Sequence, residues 1–81
     1  MPTEYLSAAP SGRLAVGERE LLAGDVIEIL VAGRWVPARV EWNDTRREWY
    51  AVVPQGAMGK ALTVPLWPGV LARLPERQRG R

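Results

Sequence analysis

Residues 25–42 read DVIEILVAGRWVPARVEW, and this stretch decides the fold. Six residues rich in β-branched side chains, 26–31, run into Ala32-Gly33, and a second apolar-alternating run, 34–42, leads away from it. Two such runs around a two-residue break predict a β-hairpin with a tight turn. A two-residue loop sets Val31 opposite Arg34, Ile29 opposite Val36 and Ile27 opposite Ala38, so pairing alone gathers one apolar face, which Val40 and Trp42 extend. The other face then carries Val26, Glu28, Leu30, Trp35, Pro37, Arg39 and Glu41, a mixture of apolar and charged groups.

Working outward, Asn43-Asp44-Thr45-Arg46-Arg47 is a run of turn formers, and residues 48–53 read as the next strand, ended by Pro54. After a loop over 55–59 comes a fourth strand, 60–66, and a last one, 70–74, follows the Pro68-Gly69 break. Pro65 cannot donate to a ladder, which predicts a sheet edge or a bulge there. On the N-terminal side, residues 13–16 suit a short strand, and 18–22 suit either a helical turn or an extended link. Residues 1–11, with Pro2 and Pro10 and no sustained period, read as a flexible lead-in, and 76–81 as a frayed basic tail. Short strands joined by tight loops predict an all-β domain over 12–75, a small five-stranded SH3-like barrel. The prolines and β-branched residues leave no room for a long helix.

The chain has 81 residues, close to the lower limit for a core that holds without staples. It contains neither cysteine nor histidine. That removes disulfides, most zinc sites and the Ser-His and Cys-His nucleophile systems, and a reducing, cytoplasmic setting is expected. No catalytic residue, metal site or cofactor is expected. The apolar run 26–32 is far short of the ~20 residues a helical membrane span needs and contains Glu28, so no membrane association is expected.

The net charge of +2 is misleading until it is located. Residues 1–75 hold 8 Lys or Arg and 8 Asp or Glu, and the excess comes from Arg77, Arg79 and Arg81 against Glu76. The folded body therefore lacks the surplus that a dedicated phosphate-binding surface shows.

The run GRLAVGERELLAGDVIEILVAGRWVPARVE, residues 12–41, resembles a family of short bacterial proteins described only as a domain of unknown function. The likeness rests on Gly12-Arg13, Leu22, Gly24-Asp25, Ile27-Glu28, Gly33-Arg34-Trp35 and Arg39-Val40-Glu41, and further on Trp49-Tyr50, Gly69 and Arg73. It implies no activity. The segment GRWVPARV is also similar to the Tudor-like corner of SH3-type barrels, where an aromatic follows a tight turn. In outline, Gly24-Asp25, Trp35, Tyr50-Ala51-Val52 and Val64-Pro65-Leu66-Trp67 resemble the plasmid-borne type of dihydrofolate reductase. There Pro65 and Trp67 stand where that family has the Gln and Tyr of a Val-Gln-Ile-Tyr segment, and the polar groups a pteridine site needs are missing.

Four tryptophans and no phenylalanine make the aromatics the informative side chains. Trp42 and one of Trp49 or Tyr50 are expected in the core, which needs bulk. Trp35, opposite Leu30 and beside Pro37, is expected to be partly exposed, and with Arg39 and Glu41 it forms the candidate site for an unknown protein partner. The alternative is a weak nucleic-acid surface of Arg34, Arg46 and Arg47 with Arg77, Arg79 and Arg81 adding nonspecific attraction. The run Gly56-Ala57-Met58-Gly59-Lys60 only faintly resembles a phosphate loop: Pro54 stands at the first glycine position and Ala61 replaces the hydroxyl residue.

Overall fold

The computed structural model describes residues 4–55 and 60–78. It is all-β, with strands β1 Leu6–Ala8, β2 Leu14–Val16, β3 Arg19–Glu20, β4 Val26–Val31, β5 Arg34–Asn43, β6 Glu48–Gln55, β7 Lys60–Pro65 and β8 Ala72–Arg73, then a short 3-10 turn, Glu76–Gln78. The strands form two antiparallel sheets, β1-β2-β3 and β7-β6-β5-β4-β8.

The hairpin register is the one the sequence predicts: Val31 faces Arg34, Leu30 faces Trp35, Ile29 faces Val36 and Ile27 faces Ala38. Its turn has positive φ at both central residues, 51° at Ala32 and 78° at Gly33, the geometry of a type I′ loop whose twist matches the flanking strands. At the other end of β4, Gly24 N–H donates to the Val40 carbonyl and Val40 N–H donates to the Asp25 carbonyl, both at 2.7 Å. Gly24 and Asp25 thus oppose one residue in a β-bulge, which explains a Gly-Asp step here: glycine takes φ 97°, and the Asp25 carboxylate accepts from Leu22 N–H at 2.9 Å.

β5 and β6 pair from Asn43–Glu48 to Arg39–Val52, placing Trp42 opposite Trp49. The connecting loop is closed by the Asn43 side-chain oxygen, which accepts from Arg46 N–H at 3.0 Å, as expected of an Asx turn. β7 completes this side of the sheet, with Pro65 opposite Tyr50. Pro65 sits on an edge strand, where a missing N–H is tolerated.

Alternation carries Ile27, Ile29, Ala38, Val40, Ala51, Val53 and Ala72 to one face, and all are buried. The small sheet covers them with Leu6, Leu14, Val16 and the following Leu21, while Leu66 closes the flank. Burial of this face is the main stabilising term, each fully buried aliphatic side chain contributing about 1.5–3 kcal/mol.

Three expectations are corrected. First, the barrel is not closed: β7 and β8 lie at opposite ends of the large sheet. β8 has only two residues, confined between Pro68-Gly69 and Pro75, and its neighbourhood bonds to the N-terminal segment instead. Leu6 N–H donates to the Val70 carbonyl at 2.8 Å, Gly69 N–H to the Leu6 carbonyl at 2.7 Å and Ala72 N–H to the Glu4 carbonyl at 3.2 Å. Second, the stretch read as a flexible lead-in, 1–11, therefore includes a strand, and Leu6 is among the most buried side chains; residues 1–3 lie outside the described residues. Third, the first three residues of the segment read as a basic tail form the 3-10 turn, and residues 79–81 lie outside the description, as do residues 56–59 of the faint phosphate-loop match.

Two stability measurements follow from this architecture. Leu6→Ala should cost about 2–4 kcal/mol in urea unfolding, whereas Leu22→Ala, at a half-exposed position, should cost under about 0.5 kcal/mol; equal effects would mean that the N-terminal strand is not part of the core. Ala32→Asn should raise stability by roughly 0.5–1 kcal/mol, because Asn tolerates left-handed backbone better than Ala. A lower melting temperature for Ala32→Asn would contradict the type I′ turn.

Candidate functional site

The face of the large sheet opposite the core is covered by no other layer among the described residues, and it displays the residues singled out from sequence. Trp35 and Leu30 are direct cross-strand partners, Glu28 faces Pro37 and Val26 faces Arg39. β6 and β7 continue the surface with Tyr50 opposite Glu41 and Pro65, and Val52 opposite Arg39 and Thr63. Val26 is 46% and Leu30 37% exposed, and Pro37, Pro54 and Pro65 are exposed beside them. The result is a broad, shallow surface of apolar steps, dented between Val26, Pro37, Arg39, Val52 and Pro54.

Its charges are arranged in pairs. Arg39 Nε bonds the Glu41 carboxylate along β5. Glu28 takes Arg73 from β8, with Nε to Oε1 at 2.6 Å, and a second carboxylate, Glu4, lies 3.8 Å from the same guanidinium. The Arg73 guanidinium also lies over the Trp35 ring, 4.4 Å from its centroid, a cation-π contact supported by the two carboxylates that orient it. Trp35 is thus on the expected face and only partly exposed, but one side of its ring is occupied by Arg73. The accessible apolar groups around it on β4 and β5 are Leu30, Val26 and Pro37.

The nucleic-acid alternative fares differently. Arg34 and the Arg46-Arg47 pair sit at opposite ends of β5, about 30 Å apart at the ~3.3 Å rise of a strand residue, so they make two separate spots and not one track. Arg46 is paired with Glu48 at 3.5 Å. Arg77 lies exposed in the 3-10 turn, and Arg79 and Arg81 lie outside the described residues.

A second concave surface was not anticipated. Trp42, expected in the core, is 38% exposed, because the small sheet stops short of this end of β5. Its ring packs on Trp49, centroids 4.9 Å apart and planes tilted by 59°, and its indole N–H donates to Asp44 at 3.3 Å. Together with Ser11, Gly12, Arg13, Leu22 and Ala23 the two rings line an open hollow of about 400 Å³. Alternation places Trp42 on the core side; its pairing with Trp49 depends on the register across the 44–47 loop, and the hollow on how far a distant sheet reaches.

Among the described residues no three acidic side chains gather as a metal site, and no helix is long and apolar enough to cross a membrane. The segment compared with the reductase leaves Leu66 buried and Trp67 56% exposed, with Pro65 on the outer face.

Geometry and pattern together define an all-β domain whose large sheet has, among the described residues, an uncovered outer face. Residues 6–65 match the model of a domain of unknown function, DUF5348, and the chain belongs to that family. No curated protein and no solved structure matches the chain.

The pairing around Trp35 can be measured directly. Arg73→Met, which keeps the stem and removes the charge from a site 21% exposed, should destabilise the fold by about 1–2 kcal/mol. Arg39→Met, at 54% exposure, should change it by less than about 0.5 kcal/mol. Equal, small effects would show that the Glu28–Arg73–Trp35 stack contributes nothing beyond a surface pair.

Proposed function

We propose that this domain is a noncatalytic interaction module that binds a protein partner through the outer face of its large sheet, centred on Leu30, Val26 and Pro37 and rimmed by Arg39 and Glu41. The observation that carries this reading is the combination of exposed apolar side chains with arginines that each hold a carboxylate partner: Arg39 with Glu41, Arg73 with Glu28 and Arg46 with Glu48. A surface balanced in this way offers apolar contact area and directional hydrogen bonds, as protein interfaces do. It offers little of the uncompensated positive charge that drives phosphate binding. A cytoplasmic setting suits a fold with no cysteine.

Site-specific photo-cross-linking in cells tests the proposal. A photoreactive residue at position 37 should give a discrete protein adduct that disappears when Leu30→Asp is added, with no change in the melting temperature beyond a few degrees. The competing nucleic-acid reading expects instead that the purified full chain binds fluorescent oligonucleotides, with affinity falling steeply as salt rises. Binding of that kind, undiminished by Leu30→Asp and accompanied by no protein adduct from position 37, would sink the interaction-face reading.

A further inference from the structure

The large sheet has two edges, and they are treated differently. Beyond β8, the N-terminal segment supplies backbone partners, through Leu6 with Val70 and Gly69 and Glu4 with Ala72. The small sheet ends on β3, only two residues long, both charged and exposed, flanked by Glu18. Short, charged edges resist pairing with another chain. β7, at six residues, is longer, and it carries such defences only at its two ends, in Lys60 and Pro65. It runs Lys60–Pro65, its last five residues, Ala61-Leu62-Thr63-Val64-Pro65, carry no charge, and among the described residues no strand pairs with its outward side.

The atoms that β7 turns outward can be assigned. Leu66 N–H donates to the Trp49 carbonyl at 3.0 Å, continuing the β6–β7 register in which Pro65 faces Tyr50 and Val64 faces Ala51. In an antiparallel ladder, residues alternate between those that bond the neighbour and those that bond away from it. Leu62, Val64 and Leu66 therefore point their N–H and C=O groups at β6, and Ala61, Thr63 and Pro65 point theirs outward. Pro65 thus loses an N–H on the open side, at no cost to the ladder. The open edge offers two donors, Ala61 N–H and Thr63 N–H, and the three carbonyls of Ala61, Thr63 and Pro65.

We infer that two copies of this chain dimerise by antiparallel pairing of their β7 edges about a two-fold axis at Leu62. In that register Ala61 of one copy pairs with the partner's Thr63, and Thr63 with the partner's Ala61. Each of the four available N–H groups then meets an outward carbonyl, and the missing donor of Pro65 falls outside the paired stretch. The two-fold places Leu62 against the partner's Leu62 in the close, non-hydrogen-bonded position of the ladder. Leu62 is 44% exposed although its side of the sheet is the core side, so self-pairing covers an apolar group that this fold leaves open. An isologous interface requires a surface complementary to itself, and the paired stretch, in which Ala61 and Thr63 of each copy supply one N–H and one carbonyl apiece, satisfies that requirement. The merged sheet has ten strands, with the two outer faces of the proposed interaction module continuous on one side. The inference is independent of what those faces bind.

Sedimentation equilibrium of the full chain over micromolar to millimolar concentration, with amide hydrogen exchange on the same samples, tests this. The expected result is a mass twice the 9.0 kDa of one chain at high concentration and protection of the Ala61 and Thr63 amides that grows with concentration. Thr63→Pro removes an outward N–H, and Leu62→Lys sets two like charges together on the two-fold; each should weaken dimerisation about tenfold or more. Because Thr63→Pro can perturb the strand itself, Leu62→Lys, at an exposed position, is the deciding variant if the former fails to fold. A mass of one chain throughout with fast exchange at Ala61 and Thr63 overturns the inference. So does a dimer that Leu62→Lys leaves intact, since it uses another surface, or protection of these amides only when a foreign peptide is added.

Discussion

The register set by Ala32 and Gly33 is the constraint on which the rest depends. With both residues in left-handed backbone, the loop contains two residues and no more, and Val31 must face Arg34. Slipping by one would turn over one strand against the other, sending either Ile27 and Ile29 or Ala38 and Val40 to the outside and bringing either Glu28 or Arg39 and Glu41 into the core, at a cost of many kcal/mol. Parity then propagates without further choice. Arg39 to Asn43 pass it to β6, β6 passes it to β7, and the same parity decides which groups line the outer face and which amides look outward from β7.

A single sheet with one apolar face needs a cover, and the chain supplies one from its beginning and its end. The three-stranded sheet gives Leu6, Leu14 and Val16, and the Val70–Ala72 region ties it to the edge of β4 through backbone bonds to Glu4 and Leu6. Closing a barrel would instead require β8 to reach β7. Two residues between Pro68-Gly69 and Pro75 offer too short a ladder to pair on both sides, and the N-terminal segment takes the outward backbone bonds of this region. The consequence is an open sheet, one edge occupied and the other, among the described residues, bare.

Local pattern makes the hairpin, its register and the composition of both faces readable from residues alone and narrows Pro65 to an edge or a bulge, because each follows from alternation over a few positions or from a missing N–H. Leu6 was not readable. A three-residue strand, Leu6–Ala8, is too short to show a period, and the Gly69 and Val70 backbone groups that Leu6 bonds lie some sixty residues away in sequence. Alternation places Trp42 on the correct side of the sheet without placing it in the core, since it states which way a side chain points and says nothing of whether a second layer extends over it. Within the candidate site, the Leu30–Trp35 pair was legible from the turn. The Arg73 that lies over Trp35, and reaches Glu28 across 45 positions, was not, because β8 carries too few residues to announce its register.

That contact changes what Trp35 means for function. An aromatic free on both sides is an anchor that a partner can bury; an aromatic under a guanidinium held by Glu28 and Glu4 is part of a stack whose members stabilise one another. Removing the Trp35 ring would release Arg73 onto the outer face as well as delete apolar area, so a loss of binding there confounds two causes. Leu30 is the cleaner handle, being exposed, uncharged and engaged in none of the ion pairs. The arginine also fixes the charge pattern: with Arg73 drawn toward Glu28 and Arg39 toward Glu41, the outer face carries paired charges beside the exposed Leu30, Val26 and Pro37. On the function proposed above, such a balanced surface suits a folded protein better than a uniformly charged polymer.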